Sequence, residues 1–147
     1  LFARARFHGP GQFRAAQFEG AADFSEIEAK ADWWMRSGVV FAQQADFSHA
    51  RFHAAAGFGE ARFAGRTDFK ACAFGGGASF DSSTFTGDAD FSECVFSGAL
   101  WMDEAAFAGR VRFDLARLRG RVSMRDMRFT REDAARAASA LQRQAGG

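Results

Sequence analysis

The sequence predicts an all-β solenoid: a quadrilateral parallel β-helix of about six coils of 22 residues, closed by a short C-terminal helix. Three observations predict it. All nineteen Phe fall on one ladder whose steps alternate five and six residues, from Phe2 to Phe129. The residue two before a rung is small or β-branched almost throughout, as at Ala50, Ala56, Ala61, Thr67, Cys72, Ala78, Ser83, Ala89 and Cys94. Glycines keep the same period of eleven, at Gly9, Gly20, Gly65, Gly76, Gly87, Gly98, Gly109 and Gly120.

The strands come first. Alternate residues of a strand point the same way, so each rung and the small residue two before it enter the core while the residue between them faces solvent. From Phe47, Phe52, Phe58, Phe63, Phe69, Phe74, Phe80, Phe85, Phe91 and Phe96 onward the ladder runs without a slip, with Met102, Leu118 and Met124 standing in for Phe near the end. Ala29 and Met35 are the two earlier substitutes. Helix is excluded over this stretch, because steps of five and six give no continuous face at 3.6 residues per turn. The absence of Tyr suits rings buried where a hydroxyl would find no partner.

Corners follow from the glycines. Each sits two residues after the rung that opens a six-residue step, which predicts corners of positive φ or bulges, where glycine costs least. Asp46, Asp68 and Asp90 recur every 22 residues before a rung, while Gly57, Ser79 and Trp101 stand between them. Only a coil of 22 residues with four faces makes these two separate columns. At a coil spacing of about 4.8 Å the six coils form a rod roughly 29 Å long. The register slips once, by one residue between Met35 and Phe41, where Arg36-Ser37-Gly38 offers a bulged corner. With that slip allowed, Asp23 joins the Asp column and Trp34 joins that of Trp101.

After Phe129 the pattern changes to an Ala-rich run that predicts a helix, dividing the chain into a β-helix over 1–129 and a capping helix with a tail over 130–147. Thr130 is the expected N-cap with Asp133 in a capping-box position. Ala134, Ala137, Ala138 and Leu141 form a small apolar face suited to covering the open end of the solenoid, or to contacting another subunit.

These residues resemble the pentapeptide repeat family, whose unit places a small residue, then Asp or Asn, then Leu or Phe. Ala22-Asp23-Phe24, Ala45-Asp46-Phe47, Thr67-Asp68-Phe69 and Ala89-Asp90-Phe91 carry that triplet, and Ala50-Arg51-Phe52 and Ala61-Arg62-Phe63 carry it with Arg in the middle. The resemblance covers residues 1 to 129 and implies a right-handed quadrilateral β-helix. The sixth residue in every second step departs from it. It further implies a non-enzymatic interaction protein, and for some members a mimic of duplex DNA that binds type II topoisomerases such as gyrase through a long acidic flank.

The chemistry outside the core is sparse. Cys72 and Cys94 are too few for a disulfide framework and match no metal spacing; they should stack as neighbours within disulfide reach, as buried thiols filling small positions. His8, His49 and His53 lie outward or at corners with no ligand set around them, and no nucleophile motif or phosphate-binding loop is present. No catalytic residue, metal or cofactor is therefore expected. The net charge of +1 argues against direct DNA binding, yet 71–109 carries six acids and no Lys or Arg, and 110–131 carries eight Arg against Asp114 and Asp126. The candidate interaction residues are Trp34 and Trp101, the column Asp23, Asp46, Asp68 and Asp90, and the basic-end residues Arg117, Arg119 and Arg121.

The expected partner is a protein or a flanking domain, with dimerisation through an end or through the C-terminal helix open; the basic end raises docking to an anionic membrane or nucleic acid. No apolar run is long enough to span a membrane and no signal peptide is visible, which makes a cytoplasmic location the default. The start at Leu1 inside the repeat reads as a fragment of a longer protein, and the excess of Arg over Lys with Ala and Gly reads as bacterial.

Overall fold

The structure is a computed structural model that describes residues 2–146. Among the described residues, twenty-three strands of two residues are followed by one helix, Glu132–Gly146. The strands stack into three parallel sheets of six and one of five. Face one runs from Arg6–Phe7 to Arg117–Leu118, face two from Gly11–Gln12 to Val122–Ser123, face three from Gln17–Phe18 to Arg128–Phe129, and face four from Ala22–Asp23 to Val111–Arg112. Consecutive strands fall on consecutive faces, so four strands complete one coil of the predicted solenoid.

Register follows the rungs. Phe52 aligns with Phe74 and Phe74 with Phe96, each 22 residues on. Pairs that cross the slip are 23 apart, as in Ala56 with Trp33 and Val40 with Gln17, and the extra residue is taken up at Ser37 and Gly38, both at positive φ (63° and 88°). Parallel in-register stacking brings like rings over like. Phe18, Phe41, Phe63, Phe85 and Phe107 form a file with centroids 4.6–5.0 Å apart and rings within 5° of parallel. Files on neighbouring faces meet edge-on, as Phe69 with Phe80 at 5.3 Å and 85°. Both arrangements suit the ring quadrupole.

The interior compensates for volume position by position. On face two Phe13, Phe58 and Phe80 are preceded by Gly11, Ala56 and Ala78, but where the rung shrinks to Met35, Met102 or Met124 the inward partner grows to Trp33, Leu100 or Val122. Trp33 also serves face one. Its buried indole lies 4.9 Å from Phe7 and 5.9 Å from Phe52, the rings on either side of Ala29, and so fills the space where a Phe at 29 would stack. A Cβ on Gly11 would stand 2.5 Å from that indole, which is why the preceding coil carries glycine there. Trp33 Nε1 is the one buried side-chain nitrogen or oxygen among the described residues without a hydrogen-bond partner.

The glycine expectation needs correction. None of Gly9, Gly20, Gly65, Gly76, Gly87, Gly98, Gly109 and Gly120 has positive φ. Left-handed backbone recurs every eleven residues at the other corner, two residues after the rung that opens a five-residue step, and there it falls on non-glycine residues such as Arg4, Ala15, His49, Ala71, Glu93 and Leu115 (φ 55–62°). The glycines answer a different need. A Cβ at Gly76, Gly87, Gly98 or Gly109 would lie 2.6–2.7 Å from a backbone carbonyl carbon of the coil before it, whereas Gly9 and Gly20, in the first coil, meet nothing within 4 Å. Close approach of stacked corners selects glycine here.

The C-terminal helix covers the last coil with Ala134, Ala138 and Leu141 buried and Ala137 half-buried, and Gln144 Nε2 donates to the Ala116 carbonyl at 3.2 Å. Thr130 does not cap it. The Thr130 amide extends the ladder to Phe107 O, and the helix opens at Glu132 after Arg131, whose guanidinium pairs with Asp133 at 3.0 Å. Gly147, read as tail, lies outside the described residues. At the other end Phe2 is 39% exposed and Phe7, Phe13 and Phe18 are half-buried.

Candidate interaction surface

Because two of every three strand-core residues point inward, surface chemistry is confined to the residue between them and to the corners. The Asp column occupies that outward position on face four, with Asp23, Asp46, Asp68 and Asp90 in register and Arg112 ending it. Each carboxylate accepts the amide two residues on: Ser25, Ser48, Lys70 and Ser92, at 2.8–2.9 Å. These bonds hold the corner where the chain leaves the strand. The Ser25 hydroxyl and amide hold Asp23 below the ordinary carboxylate range. Burial, with Asp46 and Asp90 on either side, pushes Asp68 up.

The acids of 71–109 do not form a strip. Asp90 is on face four, whereas Asp81, Asp103 and Glu104 sit after face two, Asp88 before face four and Glu93 after it. Several tie one coil to the next: Asp81 accepts the Asp103 amide at 2.8 Å, Asp88 that of Arg110 at 2.9 Å, and Asp103 that of Arg125 at 2.8 Å and the Ser123 hydroxyl at 2.6 Å. Arg125 and Ser123 hold Asp103 below the ordinary range.

Trp34 and Trp101 stand in one face-two column with Gly57 and Ser79 between them. Their rings lean toward each other. Trp34 is half-buried, covers the position a Cβ of Gly57 would take (2.5 Å) and carries the Arg36 guanidinium 4.6 Å from its ring centre. Trp101 is 41% exposed and its ring edge lies over Gly77, 2.7 Å from where a Cβ would be.

Arg117, Arg119 and Arg121 are exposed on the last coil, on face one and its corner toward face two, and none makes an ion pair among the described residues. The coil before them carries Val95, Ser97 and Ala99 in the same columns, and the one before that Ala73, Gly75 and Gly77. Further along face one Arg51 stands next, and His53 Nε2 meets Glu28 at 3.0 Å. Sequence reasoning did not single out this bare floor, which appears only when columns 22 apart are laid side by side. It also missed Leu115, 79% exposed.

Cys72 and Cys94 are buried free thiols stacked one coil apart, each donating to a rung carbonyl, Phe47 O and Phe69 O, at 2.9 Å. Burial and the neighbouring Cys94 push the Cys72 thiol well up, so it stays protonated. No group of three or more His, Cys, Asp or Glu capable of holding a metal occurs among the described residues, and no helix there is long and apolar enough to cross a membrane.

No curated protein matches the chain. The sequence pattern of the family described as Pentapeptide repeats (9 copies) matches residues 37–84, 47–95 and 80–128, a continuous span covering more than half of the chain. The stacked four-sheet coil, the inward rings and this match agree, and the chain belongs to the pentapeptide repeat family.

Proposed function

We propose that this chain is a non-enzymatic rigid scaffold that presents a protein-interaction surface. The observation that carries the reading is the separation of duties along the strand. Stacked Phe rings fill the interior, and the outward columns can vary in charge and shape without cost to the core. Trp and Arg are the side chains most enriched at binding hot spots, and here an exposed Trp101 and three unpaired Arg share one end of the rod. The test is photo-crosslinking from a benzophenone amino acid at position 101, with position 62 on face three as control. A discrete protein adduct from 101 and none from 62 supports the reading; equal, diffuse labelling from both refutes it.

Modulation of a type II topoisomerase through an acidic flank is the second reading, and the file of four Asp at coil spacing favours it. Its reach is short. Arg112 closes the file and Lys70 lies beside it, whereas duplex DNA carries about one charge per 1.7 Å without interruption. Inhibition of gyrase supercoiling at micromolar protein, lost in Asp46→Asn/Asp68→Asn/Asp90→Asn, is the result that would establish it, and no effect of the wild type removes it.

A further inference from the structure

We infer that the last coil holds a docking site for an extended acidic peptide segment, lying along Leu115, Arg117, Arg119 and Arg121 and bordered by Trp101; this rests on the interaction-module reading and names its partner class. Three large apolar side chains are exposed among the described residues, and two of them, Leu115 and Trp101, flank this arginine row. The row has a strand's spacing. Arg117 and Arg119 bracket the inward Leu118, so their Cα atoms are about 6.6 Å apart, the repeat of alternate residues in a parallel strand. An extended peptide repeats at the same distance, so carboxylates two residues apart meet Arg117 and Arg119 in register, each able to accept a two-pronged Arg contact, and the next carboxylate reaches Arg121 where the peptide bends over the Gly120 corner. Arg121 follows the Gly120 corner and stands one coil beyond Ala99, on the side where Trp101 lies over Gly77.

Charge and access both favour that occupant. Among the described residues the three guanidiniums have no carboxylate partner, while the neighbouring Arg112, Arg125 and Arg131 are each satisfied by an Asp. Glu93, which lines one hollow with Val95, Leu115 and Arg117, is paired with Lys70 at 3.7 Å. The floor itself, Ala73, Gly75, Val95 and Ser97, carries no side chain long enough to obstruct a backbone lying on it, and Arg51 is a further unpaired cation on its far side. A peptide with an apolar residue at one end and Glu at alternate positions after it would seat the apolar side chain on Leu115 and the carboxylates along the row.

The experiment titrates full-length protein with a fluorescein-labelled peptide, Leu-Thr-Glu-Thr-Glu-Thr-Glu-Thr, and with its isomer in which the three Glu are contiguous, followed by anisotropy at low and at 0.3 M salt. Oligo(dT) and anionic phosphatidylserine vesicles serve as other polyanions. The alternating peptide is expected to bind at least about fivefold more tightly than the contiguous isomer, and to weaken about tenfold or more in Arg117→Gln/Arg119→Gln/Arg121→Gln and in Trp101→Ala. Among the described residues the three Arg side chains make no hydrogen bond or ion pair, so unchanged circular dichroism and melting are expected for the triple variant, whereas Trp101→Ala, which uncovers Gly77, should keep the circular dichroism and melt somewhat lower. Equal binding of the two isomers, undiminished binding by the triple variant, or tighter binding of oligo(dT) or vesicles than of the alternating peptide each overturns the inference. A discrete crosslinked adduct from position 101 with no preference for the alternating peptide would overturn this site and leave the scaffold reading standing.

Discussion

Replacing Gly98 by Ala tests why glycine recurs every eleven residues. A Cβ at Gly98 would lie 2.6 Å from the carbonyl carbon and oxygen of Gly76, and about 0.8 Å of separation is needed to reach the 3.4 Å of ordinary contact. The ladder bonds on either side, Ser97 N to Phe74 O at 2.9 Å and Ala78 N to Ala99 O at 2.8 Å, would stretch past useful length if the coils parted by that much. Each is worth about 0.5–1.5 kcal/mol net, so Gly98→Ala should cost about 1–3 kcal/mol. The earlier coils bound the loss: they carry Ala31, Gln43 and Ala54 at the equivalent place, so a corner of this fold can admit a side chain. For a domain of this size the melting temperature should fall by roughly 2–4 °C per kcal/mol. Gly9→Ala is the control, since nothing lies within 4 Å of that Cβ. Urea unfolding with equal losses for Gly9→Ala and Gly98→Ala would refute close approach as the cause, and would return the explanation to backbone conformation.

Trp33→Ala should cost about 3–5 kcal/mol, because Ala29 leaves the indole as sole filler between Phe7 and Phe52. Ala29→Phe alone should also destabilise by overpacking, and the double variant should recover at least about 1 kcal/mol relative to the sum; additive losses in denaturant titration would contradict the shared cavity. Asp68→Asn keeps an oxygen for the Lys70 amide but removes a charge disfavoured by burial and by Asp46 and Asp90. A carboxyl whose folded pKa is raised destabilises increasingly as pH climbs from the unfolded value, about 3.9, through the folded one. The asparagine variant should therefore be more stable at pH 7, by roughly 0.2–1 kcal/mol, with the advantage shrinking toward pH 4; an advantage that grows on acidification would reverse the assignment. Ala71→Gly relieves a left-handed alanine (φ 58°), and the strain removed, about 1–2 kcal/mol, exceeds the entropy glycine loses, about 0.5–1 kcal/mol. Its melting temperature should rise by a few degrees, and a fall would show that the corner tolerates alanine without strain.

Fold was legible because the interior demands a period. A parallel coil stacks residue on residue, so any outward or inward choice repeats at the coil length. The Phe ladder, the Asp23 to Asp90 column and the slip at Ser37-Gly38 could all be read without coordinates. Helix position was legible from the break in the ladder after Phe129, but its first turn was not, since the Thr130 amide is claimed by the ladder to Phe107.

The amino-acid order alone thus determined the four faces, the coil length and which residues face water, since each follows from one-dimensional spacing. Tertiary structure decided what spacing cannot carry. Whether a corner glycine answers torsion or crowding depends on how near the preceding coil lies, and Trp33 occupies the room left by Ala29 only because their faces converge inside the coil. Likewise Asp103 and Arg125, 22 residues apart, are bonded, while Arg117, Arg119 and Arg121 remain unpaired among the described residues beside a floor of small side chains. Those relations run along the axis of the rod, perpendicular to the chain, where neighbours are set by stacking instead of sequence.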